Sequence, residues 1–182
     1  MSTPQAPVFT IGHSTRPIDV FLDLLAESAI ECVVDVRRLP GSRAFPQFNA
    51  DALRASLEKA GIDYWHAIAL GGRRGAGASG QDARDAFWTN PGFRRYAAYA
   101  RSEEFDAGLR ELEQRARAQR CVLMCSEAVW WRCHRRIIAD HLLARGHAVF
   151  HVMGSHKVTP AAMTAGAVVS GGTLAYPAAA PD

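Results

Sequence analysis

Residues 121–146, CVLMCSEAVWWRCHRRIIADHLLARG, place an apolar five-residue run, a polar turn and an amphipathic helix in immediate succession. No other stretch limits the fold as strongly. Cys121–Cys125 is short and apolar throughout, the pattern of a strand buried on both faces of a parallel sheet. Ser126–Trp131 interrupts the run. From about Arg132 the apolar residues Ile137, Ile138 and Leu142 recur at helical spacing, and Gly146 supplies a stop. Further strand-like runs lie at Val8–Ile11, Cys32–Val36, Ile62–Ile68 and Ala148–Val152. Strands that alternate with helices predict βαβ units. The expected class is therefore α/β: a Rossmann-like, mostly parallel sheet flanked by helices. A small C-terminal β-hairpin is expected over Ala167–Tyr176, with Gly171 and Gly172 at its turn.

The intervening helices carry their own signals. Phe21, Leu24, Leu25 and Ala29 give the first an apolar face, with Ser14 or Thr15 as its cap and Pro17 in its first turn. Asn49 caps a helix bearing Leu53 and Leu57 that stops at Gly61. Asn90-Pro91 opens another, and Ser102 caps a fourth with Phe105, Leu109 and Leu112. His156 and Lys157 fall in a loop beyond the last core strand. A chain of 182 residues suits one domain: an α/β core over 8–153, a loop and hairpin over 154–176, and a tail over 177–182.

Composition narrows the partners. The net charge of +3 permits an anionic ligand, but no run of five or six like charges marks a dedicated nucleic-acid binder. No apolar run approaches the ~20 residues that span a bilayer, so no membrane partner is expected. Residues 1–7 lack the apolar centre of a secretory signal. A cytoplasmic protein with reduced thiols at Cys32, Cys121, Cys125 and Cys133 is expected.

In a parallel sheet the site lies beyond the carboxyl ends of the strands. The polar residues there are Gly12, His13 and Ser14, then Asp35 and Arg37, then Cys125, Ser126 and Glu127. An Asp within an apolar strand needs a partner, and Arg37 or Arg38 is the nearest. Arg132, Arg135 and Arg136 stand at a helix start, where the helix dipole disfavours positive charge. An anion in the turn, or the Glu127 carboxylate, would resolve that conflict. Arg73 and Arg74 lie on the glycine-rich loop Leu70–Gly80, either a solvated connection or a lid that clamps an anion.

These residues suggest an anion site built from Arg37, Arg73, Arg74, Arg135 and Ser14. The alternative is a structural network of arginines with Asp35, Glu127 and Asp140. Glu127, His13 and Asp35 have the chemistry for acid, base or positioning roles. Cys125, at a strand end near arginines, is a reserve nucleophile or else a buried structural thiol. Six residues separate it from Arg132, a spacing that matches neither rhodanese loops nor tyrosine-phosphatase loops. Cys125, Cys133 and His134, with His13, are a weaker zinc set, because adjacent Cys133 and His134 on a helix point about 100° apart. No metal and no cofactor are assigned. Trp130 and Trp131 either stack on a ring or cover the core.

Several stretches resemble one family of bacterial α/β proteins, the domain of unknown function 488 family. They are TIGHST at Thr10–Thr15, VVDVRRLPGSR at Val33–Arg43, FPQFN at Phe45–Asn49 and LGGRR at Leu70–Arg74. MCSEAVWWRCHRRIIADHLL at Met124–Leu143 and VTP at Val158–Pro160 complete the set. The Cys125, Glu127, Cys133, His134, Arg135 pattern is the most distinctive part. The resemblance runs from about Thr10 to Tyr176 and implies a Rossmann-like sheet; it supplies no catalytic residues. The expected function is an enzyme acting on a phosphate-bearing or nucleotide-like substrate, its partner an anionic small molecule or nucleotide. A binding module for a nucleotide or nucleic acid without turnover is the first alternative. A cysteine-dependent sulfurtransferase-like or redox protein is the second.

Overall fold

The computed structural model describes residues 5–75 and 82–179. The glycine-rich stretch from Ala76 to Gln81, expected as part of a lid or connection, lies outside the described residues, as do the first four residues and the end of the tail.

Five parallel strands form the sheet: β1 (Val8–Gly12), β2 (Cys32–Asp35), β3 (Asp63–His66), β4 (Cys121–Cys125) and β5 (Val149–Gly154). A sixth, β6 (Lys157–Pro160), runs antiparallel to β5 at the edge. The order is β3-β2-β4-β1-β5-β6. Five helices cover the sheet: α1 (Ile18–Glu27), α2 (Ala50–Lys59), α3 (Pro91–Tyr99), α4 (Glu103–Ala118) and α5 (Arg135–Ala144). The expected α/β class holds, and so does the hairpin, β7 (Val168–Ser170) with β8 (Thr173–Ala175). Gly171 and Gly172 both take positive φ at its turn, which a side chain would strain.

The two-residue strand period sorts the core into two layers. Phe9, Ile11, Val33, Val122 and Met124 face α1 and α2 through Phe21, Leu24, Leu25, Leu53 and Leu57. Val8, Val34, Leu123 and Val149 face the other three helices through Tyr96, Phe105, Leu109, Ile137 and Leu142. The central strands are buried at every residue, as a sheet covered on both faces requires.

Several expectations change at element ends. Neither Ser14 nor Thr15 caps α1; Pro17 holds that position without a side-chain bond. Ala29 lies beyond α1 with φ of 50°. Asn49 precedes α2, but its Oδ1 accepts from the Ser42 N–H instead of capping. Asn90 and Ser102 do cap α3 and α4. α5 begins at Arg135, because Trp130–Arg132 forms a separate 3₁₀ turn. Lys157 is not in a loop: it opens β6. The hairpin is tied to the body by Asp140, whose carboxylate accepts from the Thr164 N–H and the Tyr176 hydroxyl, each at 2.8 Å.

Candidate functional site

The chain leaves β1 toward α1 on one face and leaves β4 toward α5 on the other. Two adjacent strands whose connections part to opposite faces open a crevice at their carboxyl ends. The ladder continues past both strand ends. The His13 N–H donates to the Cys125 carbonyl at 2.9 Å, and the Ser14 N–H to that of Ser126 at 3.1 Å. Gly12 is required at this crossing, since a Cβ there would stand 1.9 Å from the Glu127 carbonyl oxygen.

A cavity of about 800 Å³ opens at these ends. Among the described residues its wall carries Arg37, Arg38, Arg73, Arg74, Arg95 and Arg132 but one acidic residue, Glu127; Cys125, Cys133, His13 and His134 also border it. Arg38, Arg73, Arg132 and Glu127 are exposed. Of the residues predicted from sequence, Arg37, Arg73, Arg74, His13, Glu127 and Cys125 meet here. Asp35, Arg135 and Ser14 do not border the cavity.

Asp35 lies beneath it, fully buried. Its carboxylate accepts from Arg37 Nε at 2.9 Å and NH2 at 2.7 Å, and from the Tyr64 hydroxyl at 2.7 Å. The expected pairing with Arg37 is thus a two-pronged buried ion pair, and Asp35 positions Arg37 instead of facing a ligand. The third prong of Arg37, NH1, lies 3.3 Å from His13 Nε2. His13 Nδ1 is 2.8 Å from the Ser14 carbonyl, so the proton sits on Nδ1 and Nε2 accepts. Burial, opposed by the Ser14 bond and reinforced by the Arg37 charge, pushes His13 down to about 4. His13 is therefore a neutral ring stacked on Phe48, 4.1 Å between centroids. Ser14 contributes through its backbone and a φ of 51°.

The conflict at the α5 start is resolved beneath the cavity floor. Arg135 is 1% exposed. Its Nε donates to Cys125 Sγ at 3.2 Å and to Cys133 Sγ at 3.4 Å. NH1 donates to the Thr10 hydroxyl at 3.4 Å, and NH2 to the Glu127 carbonyl at 2.5 Å. Sequence reasoning expected the Glu127 carboxylate or a bound anion as its counterpart; the Glu127 backbone and two sulfurs take that place. Thr10 also bridges to His151 Nδ1 at 2.7 Å, and His151 stacks on Trp130. Trp130 therefore covers a buried histidine, while Trp131 is exposed.

Cys133 and Cys125 present sulfurs 2.7 Å apart. His134 Nε2 lies 2.8 Å from the Val36 carbonyl, which holds the proton on Nε2 and leaves Nδ1 to accept from Cys133 Sγ at 3.5 Å. Gly72 packs on this ring; a Cβ there would stand 2.7 Å from Nδ1. Burial alone would raise the Cys133 thiol. The Cys125 hydrogen bond, His134 and the Arg135 charge together carry it well below the usual thiol range. Burial and the Cys133 bond push Cys125 the other way. Among the described residues no three His, Cys, Asp or Glu side chains form a metal-ligand group.

Sequence reasoning placed Arg132 at the anion-holding helix start but did not join Arg38, Arg95, Cys133 and His134 to the anion site. The Cys-His pair was visible, but only as a metal set. Arg95 lies on α3, and nothing local in the sequence marks it. Arg74, by contrast, is largely committed. It donates to the Gly71 and Ile68 carbonyls and lies over the Tyr99 ring at 3.6 Å.

No curated protein and no solved structure matches this chain. The family model described as Domain of unknown function DUF488 matches residues 17–142, which takes in β2, β4, most of α5 and both site cysteines but leaves out the Thr10–Thr15 and Val158–Pro160 stretches. With the greater part of its length inside that match, including three of the five parallel strands, the chain belongs to the DUF488 family.

Proposed function

We propose that the protein is an enzyme acting on an anionic, phosphate-bearing or nucleotide-like substrate held in this cavity. One observation carries the reading: among the described residues six arginines and one acidic residue line it, and while Asp35 pairs with Arg37 and backbone carbonyls hold Arg74, Arg38, Arg73 and Arg132 are exposed. Arginine forks match phosphate oxygens in pairs, and a recess with one sign of charge concentrates ligands of the other. Arg38, Arg73 and Arg132 are exposed residues of the lining and supply the first contacts. Arg37 is held rigid behind them by Asp35 and costs no reorganisation when a ligand arrives. Glu127, an exposed residue of the cavity lining, is the remaining acid–base candidate.

The sealing of Asp35 and the engagement of His13 by Arg37 favour a second reading, a binding module without turnover. Two of the three acid–base candidates then serve structure.

A thermal-shift series tests the site. Phosphate, pyrophosphate, mononucleotides and short oligonucleotides are added to the wild type and to the Arg73→Ala, Arg132→Ala double variant. A true ligand at about 100 times its Kd adds about 2.7 kcal/mol, several degrees of melting temperature. Stabilisation of the wild type and not the variant is expected. If no anion stabilises the wild type, the reading fails. With a ligand in hand, Glu127→Gln divides the two readings: binding kept and turnover lost marks the enzyme.

A further inference from the structure

Arg135 is a buried cation, and among the described residues no carboxylate pairs with it. Its neighbours are two sulfurs, one hydroxyl and one carbonyl. A charge taken out of water needs a counter-charge close by. Of these groups only a cysteine sulfur can carry one. Two further features select Cys133. The Arg135 N–H, in the first turn of α5, lies 3.5 Å from Cys133 Sγ, so the positive end of the helix dipole faces that sulfur. His134 Nδ1 is free to take its proton, because Nε2 is fixed on the Val36 carbonyl. Both cysteines border the arginine-lined cavity, their sulfurs side by side.

We infer that Cys133 and Cys125 form a thiol–disulfide exchange pair, Cys133 attacking and Cys125 resolving, whose reaction partner is an anionic small-molecule disulfide taken into the cavity. The choice of an anionic partner rests on the reading of the cavity above; the pair itself does not. In the first step Cys133 passes its proton to His134, and the thiolate attacks one sulfur of the partner's S–S bond. That bond breaks, and the first leaving thiolate takes the proton back from His134. In the second step Cys125 loses its proton and attacks Cys133 Sγ. The mixed disulfide breaks and the second partner thiol departs with that proton. The two cysteines lose two electrons and two protons, and the partner disulfide gains them.

The other sulfur pair makes an internal control. Cys32 and Cys121 face each other in the strand register at the far end of β2 and β4. They are fully buried and do not border the cavity.

The full-length reduced protein is exposed to oxidised glutathione as an anionic probe, and in parallel to cystamine as a cationic one. It is then acid-quenched, alkylated and peptide-mapped. A Cys125–Cys133 disulfide is expected, with Cys32 and Cys121 alkylated. Cys125→Ser is expected to trap glutathione on Cys133, and Cys133→Ser to yield no adduct at Cys125. Far-ultraviolet circular dichroism of both variants checks that they fold. In His134→Gln the pH at which Cys133 reacts moves up toward the ordinary thiol value of about 8.5. The pair is overturned if both probes leave Cys125 and Cys133 reduced, if the trapped adduct sits on Cys125, or if Cys32 and Cys121 oxidise instead. Faster reaction with glutathione than with cystamine supports the anionic partner. Equal rates overturn that choice and the charge selectivity of the cavity, and leave the pair standing.

Discussion

Asp35 is the residue on which the cavity wall depends. It neutralises Arg37 from below, and Arg37 in turn meets Nε2 of His13, whose tautomer the Ser14 carbonyl fixes. Asp35→Asn removes the charge and keeps the shape. It leaves a guanidinium that is 8% exposed without its carboxylate. Breaking a buried pair on one side costs about 3–5 kcal/mol, and urea unfolding would measure a loss of that order. A loss below ~1 kcal/mol would mean that water replaces the carboxylate. Gly72 tests the opposite edge. Gly72→Ala pushes against the His134 ring, so the Cys133 alkylation rate at neutral pH should fall several-fold. The ring is held by the Val36 carbonyl and packs on Tyr96, so the clash should also cost about 1–3 kcal/mol of stability. An unchanged alkylation rate would remove His134 from any role at Cys133.

At the scale of elements, the helices differ in how they begin. α4 opens on Ser102, whose hydroxyl accepts from the Phe105 N–H at 3.2 Å, with Glu103, Glu104 and Asp106 in its first turn. This start follows local rules, and Ser102→Ala should cost about 1 kcal/mol by denaturant unfolding, with no change at the cavity. α5 breaks the same rules. It opens on Arg135 and Arg136 with no side-chain cap and no acid in the first turn. Its first turn draws on one local and one distant partner: Cys133 Sγ, two residues back, takes the Arg135 N–H, and the Arg136 side chain donates through Nε to the Thr164 hydroxyl at 3.0 Å. An element that violates local preference where sulfur, histidine and arginine converge is where function is expected to reside.

The whole molecule carries a charge response of its own. His13, His141 and His151 are all buried, and burial pushes each down to about 4. Like charges add to the effect: Arg37 at His13, Arg145 and Arg101 at His141, and Arg135 at His151. The folded-state values lie below the ordinary value of about 6.5, so the unfolded chain takes up protons first as pH falls. Nothing is lost above about pH 6.5. Between there and pH 4 each ring withdraws up to roughly 3 kcal/mol. Asp140, whose carboxyl burial raises, acts in the opposite direction. The melting temperature should be level from pH 8 to 7 and fall steeply from 6 to 4. His151→Gln should flatten part of that fall, and a level melting temperature down to pH 4.5 would contradict the burial of these rings as neutral groups.

The sequence by itself determined the class of fold and much of its detail. Apolar runs of strand length and helical periodicities are local, so Cys121–Cys125, the caps at Asn90 and Ser102 and the Gly171-Gly172 turn were all legible. The edge strand β6 was not, because its residues are exposed and pair with β5 only in three dimensions. The α5 start was placed early for a similar reason. Nothing local distinguishes the turn at Trp130–Arg132 from a first helical turn. At the site, the residue types and their places at strand ends were readable, and so was the electrostatic conflict at Arg135. Its resolution was not. Whether a guanidinium meets a ligand, a carboxylate or a thiol depends on which strand lies beside which. The order β3-β2-β4-β1-β5 sets β1 against β4, sends Asp35 below the cavity and turns Arg135 inward to the two sulfurs. Side-chain chemistry is written residue by residue, but burial and counter-charge are properties of neighbours distant in the chain, and only the tertiary structure decided them.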